Sequence, residues 1–231
     1  MVTAVIAAGG RGTRMGAGYN KVFIKLNGEE LILHTMKIFN ENPLVDEIIV
    51  VTGTDDVSRV ETLAYNNNIT KFKCVTEGGD TRRASVYRGI VHAGGDIIAV
   101  HDGARCLVSQ SEITNAIHDC EKYGAAAVGV ICKDTLKAAD DEGFIAGTID
   151  RSRTYQIQTP QVFRRDILIE AHRRAIEDGF EPTDDCALIE RMGGRIKITE
   201  GSYDNIKITT PEDIPVAEKI AENRYRREMM L

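Results

Sequence analysis

At 231 residues, with 42% apolar and 28% charged side chains, the chain is long enough for one α/β domain with a substantial core and has the composition of an ordinary soluble protein. Its net charge of −6 speaks against a nucleic-acid scaffold, and no apolar run approaches the roughly 18 residues that cross a bilayer, so neither nucleic acid nor membrane is an expected partner. The N-terminus carries no basic-plus-apolar leader, which makes the cytoplasm the expected location, and the widely spaced Cys74, Cys106, Cys120, Cys132 and Cys186 read as reduced, mostly buried thiols.

Val2 to Ala7 is short, apolar and β-branched, as a buried parallel strand should be. The stretch that follows, through Lys25, mixes Gly9, Gly10, Gly12, Gly16 and Gly18 with Arg11, Arg14, Lys21 and Lys25. Glycines let the backbone approach a ligand closely, and exposed N–H groups with cations suit a polyanion, a triphosphate being the obvious candidate. Two familiar phosphate loops are excluded. The P-loop spacing is absent, and a dinucleotide fingerprint started at Gly10 and Gly12 would need its third glycine where Met15 stands.

Beyond this loop, helix-like and strand-like segments alternate, which predicts a mostly parallel sheet covered by helices. The predicted order is a helix over Glu30 to Asn42, a strand over Glu47 to Thr52, a helix over Val57 to Asn66 and a strand over Phe72 to Glu77. A helix over Thr81 to Ala93 and a strand over Asp96 to His101 come next. Ser109 and Glu112 form a capping box for a helix reaching Tyr123, and Ala125 to Ile131 is the following strand. Lys133 to Gln158 breaks the alternation: Thr135 to Ala138 and Phe144 to Ile149 flank an acidic turn, the pattern of a projecting β-arm. Helices over Asp166 to Glu177 and Asp184 to Met192, then strands over Arg195 to Glu200 and Asn205 to Ile208, complete the series. Thr210 and Pro211 are placed to cap and open a last helix with Arg224, Arg226 and Arg227 near its end. Residues 1–231 read as a single domain without repeats or linkers, with 133–158 as its arm.

In an open parallel sheet, ligands bind beyond the carboxyl ends of the strands. The chemically rich segments fall there: Gly9 to Lys21, Gly79 to Ser85, Asp102 to Arg105, and Lys207. Gly79 to Ser85 serves either as a helix cap with a basic pair or as a pocket in which Asp80 and Ser85 hold base and ribose. Asp102 beside small residues suits a magnesium–triphosphate site or a solvated pair with Arg105, and His101 reads as a packing residue rather than a general base. Lys207 stands in an apolar run, so its ammonium must meet an anion or reach water. Thr183-Asp184-Asp185 is equally an N-cap or part of a site.

The opening loop, Ala7 to Met15 with Lys21, resembles that of sugar-nucleotide-forming nucleotidyltransferases. Adding Gly79-Asp80-x-Arg82…Ser85, His101-Asp102-x-Ala104-Arg105, Asp134-Thr135-x-Lys137, Asp150-Arg151, Gln158-Thr159-Pro160-Gln161, Thr183-Asp184-Asp185 and Asp204-Asn205-Ile206-Lys207, the chain resembles the 2-C-methyl-D-erythritol 4-phosphate cytidylyltransferases of the non-mevalonate isoprenoid pathway over nearly its whole length. Ribitol-5-phosphate cytidylyltransferases share many of these motifs. The resemblance implies a single-domain, Rossmann-like fold of the nucleotide-diphospho-sugar transferase type and a reaction of CTP with a small polyol phosphate that releases pyrophosphate. It implies that Arg14 and Lys21 contact the triphosphate and, with Lys207, carry the catalysis. Ala7, Ala8, Gly9, Gly10, Gly12, Thr13, Gly79, Asp80, Arg82, Ser85, Asp102 and Gly103 complete the nucleotide site. Asp102, Arg105, Thr135, Arg151, Thr159, Thr183 and Lys207 surround the acceptor phosphate.

The same resemblance implies magnesium, held mostly by phosphates with Asp102 as its protein contact, and a homodimer whose β-arms cross so that Thr135 and Arg151 enter the neighbouring site. Asn20, Gly103 and Cys106 depart from the common pattern (proline, alanine and proline) and bear on loop rigidity more than on chemistry. A nucleotide-binding oxidoreductase and a non-catalytic α/β binding module are the readings of other classes. The missing dinucleotide fingerprint counts against the first, and the converging cations against the second.

Overall fold

Strand Val2–Ala7 (β1) is buried along almost its whole length, which forces helices onto both faces of the sheet it joins. The computed structural model describes residues 1–10 and 20–229. After β1, a 3-10 turn at Lys21–Phe23 leads into a ribbon of Lys25–Leu26 (β2) and Glu29–Glu30 (β3), closed by Asn27 and Gly28, both at positive φ as a tight hairpin requires. Helix Leu31–Glu41 (α1), strand Glu47–Thr52 (β4), helix Val57–Asn66 (α2), strand Phe72–Glu77 (β5), helix Arg82–His92 (α3) and strand Ile97–Asp102 (β6) follow in the predicted alternation. Helix Gln110–Tyr123 (α4) starts from the expected capping box on Ser109 and stops at left-handed Gly124, and Ala125–Ile131 forms β7. The arm then carries Lys137–Ala139 (β8) and Ile145–Thr148 (β9) as an antiparallel pair.

Strand Tyr155–Arg164 (β10) leads out of the arm and runs antiparallel between β6 and β7. The sequence reading ended the arm at Gln158 and placed no strand here. Pro160 lies inside this strand, and its missing N–H falls where the β10–β7 register shifts between Ile157 and Gln161. Helices Arg165–Glu177 (α5) and Asp185–Arg191 (α6), strand Lys197–Glu200 (β11) and helix Asp213–Glu228 (α7) complete the chain. Among the described residues the main sheet has seven strands in the order β11-β7-β10-β6-β1-β4-β5, parallel except at β10.

Two expectations near the C-terminus are corrected. Asn205 to Ile208 is not a strand: Ile208 N–H donates to the Ala104 carbonyl, and the Asn205 amide donates to the Thr159 carbonyl, so polar groups there are satisfied by loops rather than a ladder. Thr210 and Pro211 do not open the last helix. It begins at Asp213, whose carboxylate accepts from Thr209 and Thr210 N–H and so fastens the preceding segment onto the helix.

Alternate residues of each strand feed two cores. Ala4, Ile6, Ile48 and Val50 pack beneath α1, α2 and α4, while Val5, Ile49, Val51, Ile98 and Phe163 pack beneath α3, α5 and α6. Cys106, Cys120, Cys132 and Cys186 are buried and Cys74 is half-buried, all as free thiols. The arm is exposed, with Phe144 at 67% and Ile145 at 70% of their full accessibility. Among the described residues no helix is long and apolar enough to cross a membrane.

Gly89 is where α3 comes closest to the sheet: a Cβ there would stand 2.6 Å from Val5 Cγ1 and 2.8 Å from Val51 Cγ2. Gly89→Ala should therefore cost about 1–3 kcal/mol in urea unfolding, the scale of overpacking a core. Gly147→Ala, on the arm with nothing within 4 Å of its Cβ, should leave the midpoint unchanged within error.

Candidate active site

The carboxyl ends of β1 and β6, the start of α3 and the extended segment before α7 enclose a cleft of about 340 Å³. Ala7, Ala8, Gly9, Gly10, Lys21, Gly79, Asp80, Arg82, Ser85, Asp102 and Lys207, all read from the sequence as site residues, line it together. Val22, Thr81, Ala104 and Thr209 also line it and were not singled out; they neighbour motif residues and carry no charge that would mark them. Gly12, Thr13 and Arg14 lie outside the described residues. A larger groove of about 930 Å³ runs along the β7–β11 edge, lined by Tyr123, Ile131, Tyr155, Ile198 and Tyr203, and holds none of the expected site residues.

Asp102 is the electrostatic centre. As the last residue of β6 it meets Lys207 Nζ at 2.8 Å, Arg105 Nε at 3.5 Å and Arg82 Nη2 at 3.8 Å. Burial pushes its carboxyl pKa upward, but Lys207, Arg82 and Arg105 outweigh burial and hold it down at about 2. The anion that Lys207 required is thus Asp102, which draws the ammonium over the cleft. Oδ1 of Asp102 faces Arg82 beyond hydrogen-bond distance, while Lys207 and Arg105 meet Oδ2. Magnesium takes most of its ligands from phosphate oxygens and water, and the Asp102 carboxylate lining the cleft is the protein oxygen that would meet it.

The strand end is held from behind. His101 is fully buried against Phe39, and burial lowers its pKa to about 4, so it is neutral near pH 7. Its Nε2 lies 3.1 Å from the Arg105 carbonyl and therefore carries the proton, leaving Nδ1 to accept from the Thr159 hydroxyl at 3.0 Å. The Thr159 oxygen accepts the Asp102 N–H in turn. Thr159 and His101 thus fix Asp102 rather than line the cleft. Arg105 also sits behind the wall, donating to the Asn205 carbonyl at 2.7 Å, and Gly103 donates its N–H to the Ala7 carbonyl.

At the opposite wall Thr81 caps α3 by accepting from Ala84 N–H, while the Ser85 hydroxyl accepts from Gly79 N–H and donates to the Thr81 carbonyl. The helix-cap reading and the pocket reading of this segment are both satisfied, because the cap shapes the pocket. Lys21 reaches the Ile208 carbonyl at 3.1 Å. Asn20, buried beside it, donates to the Ala8 carbonyl at 2.6 Å and to Asp56 at 3.0 Å and accepts from Val22 N–H. A proline could make none of these side-chain bonds, so Asn20 pins the start of the Lys21 turn to the end of β1.

Besides Gly103, Arg105 and Thr159 behind its wall, three more expected site residues do not line the cleft of their own chain. Thr135 and Arg151 lie on the arm, where Arg151 donates to the Lys133 carbonyl, and Thr183 is exposed ahead of α6. Asp184 is the N-cap of α6, as one reading had it. Asp185 points elsewhere: its buried carboxylate meets Arg82 Nη1 at 2.7 Å. Its signal in the sequence, one acid too many for a cap, was present but ambiguous.

The family model for 2-C-methyl-D-erythritol 4-phosphate cytidylyltransferase matches residues 2–223. A protein of that name from Caldanaerobacter subterraneus subsp. tengcongensis is 46% identical over 224 residues, covering 94% of this chain and 97% of the relative. One from Geobacillus kaustophilus is 43% identical, covering 96% and 97%. Among solved structures, the 4-diphosphocytidyl-2C-methyl-D-erythritol synthase of Anaerococcus prevotii superposes with a TM-score of 0.87 at 27% identity over 96% of each chain. The cytidylyltransferase of Thermus thermophilus gives 0.78 at 28% identity, over 94% of this chain and 98% of that one.

With a folded pKa of about 2 against an ordinary 3.8, the Asp102 carboxylate contributes stability that is present above about pH 4 and lost as pH falls toward 2. Asp102→Asn should therefore destabilise the fold by roughly 2 kcal/mol at pH 7. Urea unfolding across pH should show the gap to wild type closing between pH 4 and 2; a gap independent of pH would contradict the charge pairing.

Proposed function

Because the chain belongs to the 2-C-methyl-D-erythritol 4-phosphate cytidylyltransferase family, we infer that it is the nucleotidyltransferase that joins CTP to 2-C-methyl-D-erythritol 4-phosphate in the non-mevalonate isoprenoid pathway, releasing pyrophosphate. The observation that carries this reading to the site is the one cleft in which Gly9, Gly10, Lys21, the α3 start, Asp102 and Lys207 meet. A phosphate monoester oxygen of the acceptor attacks the α-phosphorus of CTP in line; the new P–O bond forms as the bond to the β-phosphate oxygen breaks. With a second phosphate pKa of about 6 the nucleophile is already anionic at pH 7, so no general base is required. Neutral, walled-in His101 fits that requirement.

The remaining problem is charge: two polyanions must meet, and the transition state must be stabilised. Lys21 and Arg14 would bind the triphosphate, while Lys207 receives the acceptor phosphate. Gly9 and Gly10 admit the phosphates close to the backbone, Asp80 and Ser85 form the nucleoside side of the cleft, and Arg82 adds a cation to the CTP pocket. When bound, magnesium would neutralise triphosphate charge, with Asp102 as its protein contact.

The working unit on this reading is a cytoplasmic homodimer joined through the arms. Exposed Phe144, Ile145 and Ile149 on the arm support it, as does the position of Arg151, remote from its own chain's cleft motifs in sequence and held by the Lys133 carbonyl. In the dimer the partner subunit's Arg151 would complete the acceptor site.

Pyrophosphate release is expected from CTP with methylerythritol phosphate, at far higher kcat/KM than with ribitol 5-phosphate or with ATP or GTP in place of CTP. Equal efficiency with ribitol 5-phosphate would move the assignment to the sister activity. For the dimer, Lys21→Ala and Arg151→Ala homodimers should each fall at least about a hundredfold in turnover. Co-refolding equal amounts should restore about a quarter of the sites, since half the dimers are mixed and each mixed dimer has one intact site. Subunit exchange seen by mass without regained activity would rule out Arg151 acting across the interface.

A further inference from the structure

Arg82 stands between two carboxylates. Nη1 is 2.7 Å from Asp185 Oδ2, and Nη2 is 3.8 Å from Asp102 Oδ1. The first contact is tight and the second is open, although Asp102 lies in the cleft and Asp185 beneath it. Asp185 is fully buried, and among the described residues its Oδ1 has no hydrogen-bond partner. Nothing in packing calls for this group. A buried ion pair contributes little to stability that a well-packed apolar pair would not, and an unpartnered carboxylate oxygen is a further cost.

The position of Asp185 is fixed by the sheet. Its N–H donates to Gln161 Oε1, and Gln161 Nε2 donates to Asp184 Oδ2, which clamps the start of α6 onto β10. Strand β10 pairs with β6, Gln161 lying opposite Val100, two residues before Asp102. Asp185 and Asp102 are thus held on one frame, and the guanidinium between them is placed by that frame rather than by its own flexible stem. Were Asp185 uncharged, Asp102 would be the nearer anion for Arg82, and closure of that pair would fill the space a phosphate needs and cancel a charge that receives it.

We propose that Asp185 is a positioning residue for nucleotide binding, which draws Arg82 away from Asp102 and holds its guanidinium ready for the triphosphate. This rests on the cytidylyltransferase reading of the cleft. Asp185→Asn should raise KM for CTP about tenfold while kcat changes less than about threefold and KM for methylerythritol phosphate less still. In an Arg82→Met background Asp185→Asn should have no further effect on KM, because the group it acts through is gone. An unchanged KM in the folded single variant, or the same rise in the Arg82→Met background, overturns the proposal.

Should Asp185→Asn fail to fold, Asp185→Glu keeps the charge but pushes the guanidinium about one bond length toward Asp102; KM for CTP should rise threefold or more, and an unchanged value overturns the proposal. Wild-type turnover of CTP tests the underlying reading separately. If wild type is inert toward CTP, that reading fails, and the same variants are then measured by calorimetric binding of inorganic tripolyphosphate. Tenfold weaker binding in Asp185→Asn supports the positioning role, and equal binding overturns it.

Discussion

One carboxylate in a ring of cations organises the site. A buried charge must be paired, and Asp102 is paired several times over, with Lys207, Arg105 and Arg82. Each of these cations comes from a different part of the chain: the segment before α7, the loop after β6 and the first turn of α3. The carboxylate therefore fixes the relative position of three walls that the backbone alone connects only distantly. It also sets the sign of the cleft. On a chain with net charge −6, Lys21, Arg82 and Lys207 gather in one cleft with Asp80 and Asp102, and their excess is what an incoming polyanion meets.

The cost of such a centre is borne by neutral groups behind it. His101 and Thr159 form a relay from the Arg105 carbonyl to the Asp102 N–H in which every donor and acceptor has one role. This is a structural use for a histidine that, by sequence, sits beside an aspartate at a strand end, where acid–base chemistry is the tempting reading. Burial decides the matter: an imidazole that stays neutral down to about pH 4 and is walled off from the cleft holds the strand rather than moving protons.

Much of this was legible in the sequence because it is local. A glycine turn after an apolar strand, a capping box, and a lysine in an apolar run each carry their physics within a few residues, and the strand-end rule converts them into one place. Where partners are distant, legibility fails. Strand β10 contains Pro160, a residue that disfavours a central strand, and the register shift on β7 that meets its missing N–H involves a partner remote in the chain. Asn205 to Ile208 has the composition of a strand but finds its partners in Ala104, Arg105 and Thr159. Thr159 and Arg105, expected around the acceptor phosphate, sit behind the wall of the cleft, and Asp185 is separated from a cap only by the position of Arg82. The Asn27-Gly28 hairpin is the opposite case, a local signal that was present and not used.

The insertion of β10 has a consequence for the order in which the fold can form. Strands β6 and β7 follow one another in the chain but are kept apart in the sheet by β10, which is made only after the arm. During synthesis β5, β4, β1 and β6 can pair as soon as Asp102 has left the ribosome. The outer edge of β6 then stays open, and β7 has no neighbour until Tyr155–Arg164 emerges. The half-built sheet spends that interval with an unsatisfied apolar edge, the state most prone to capture another nascent chain. The arm is the segment translated in that interval, so a longer arm would lengthen the exposure of the edge, and a chaperone that shields nascent chains would have its greatest effect there.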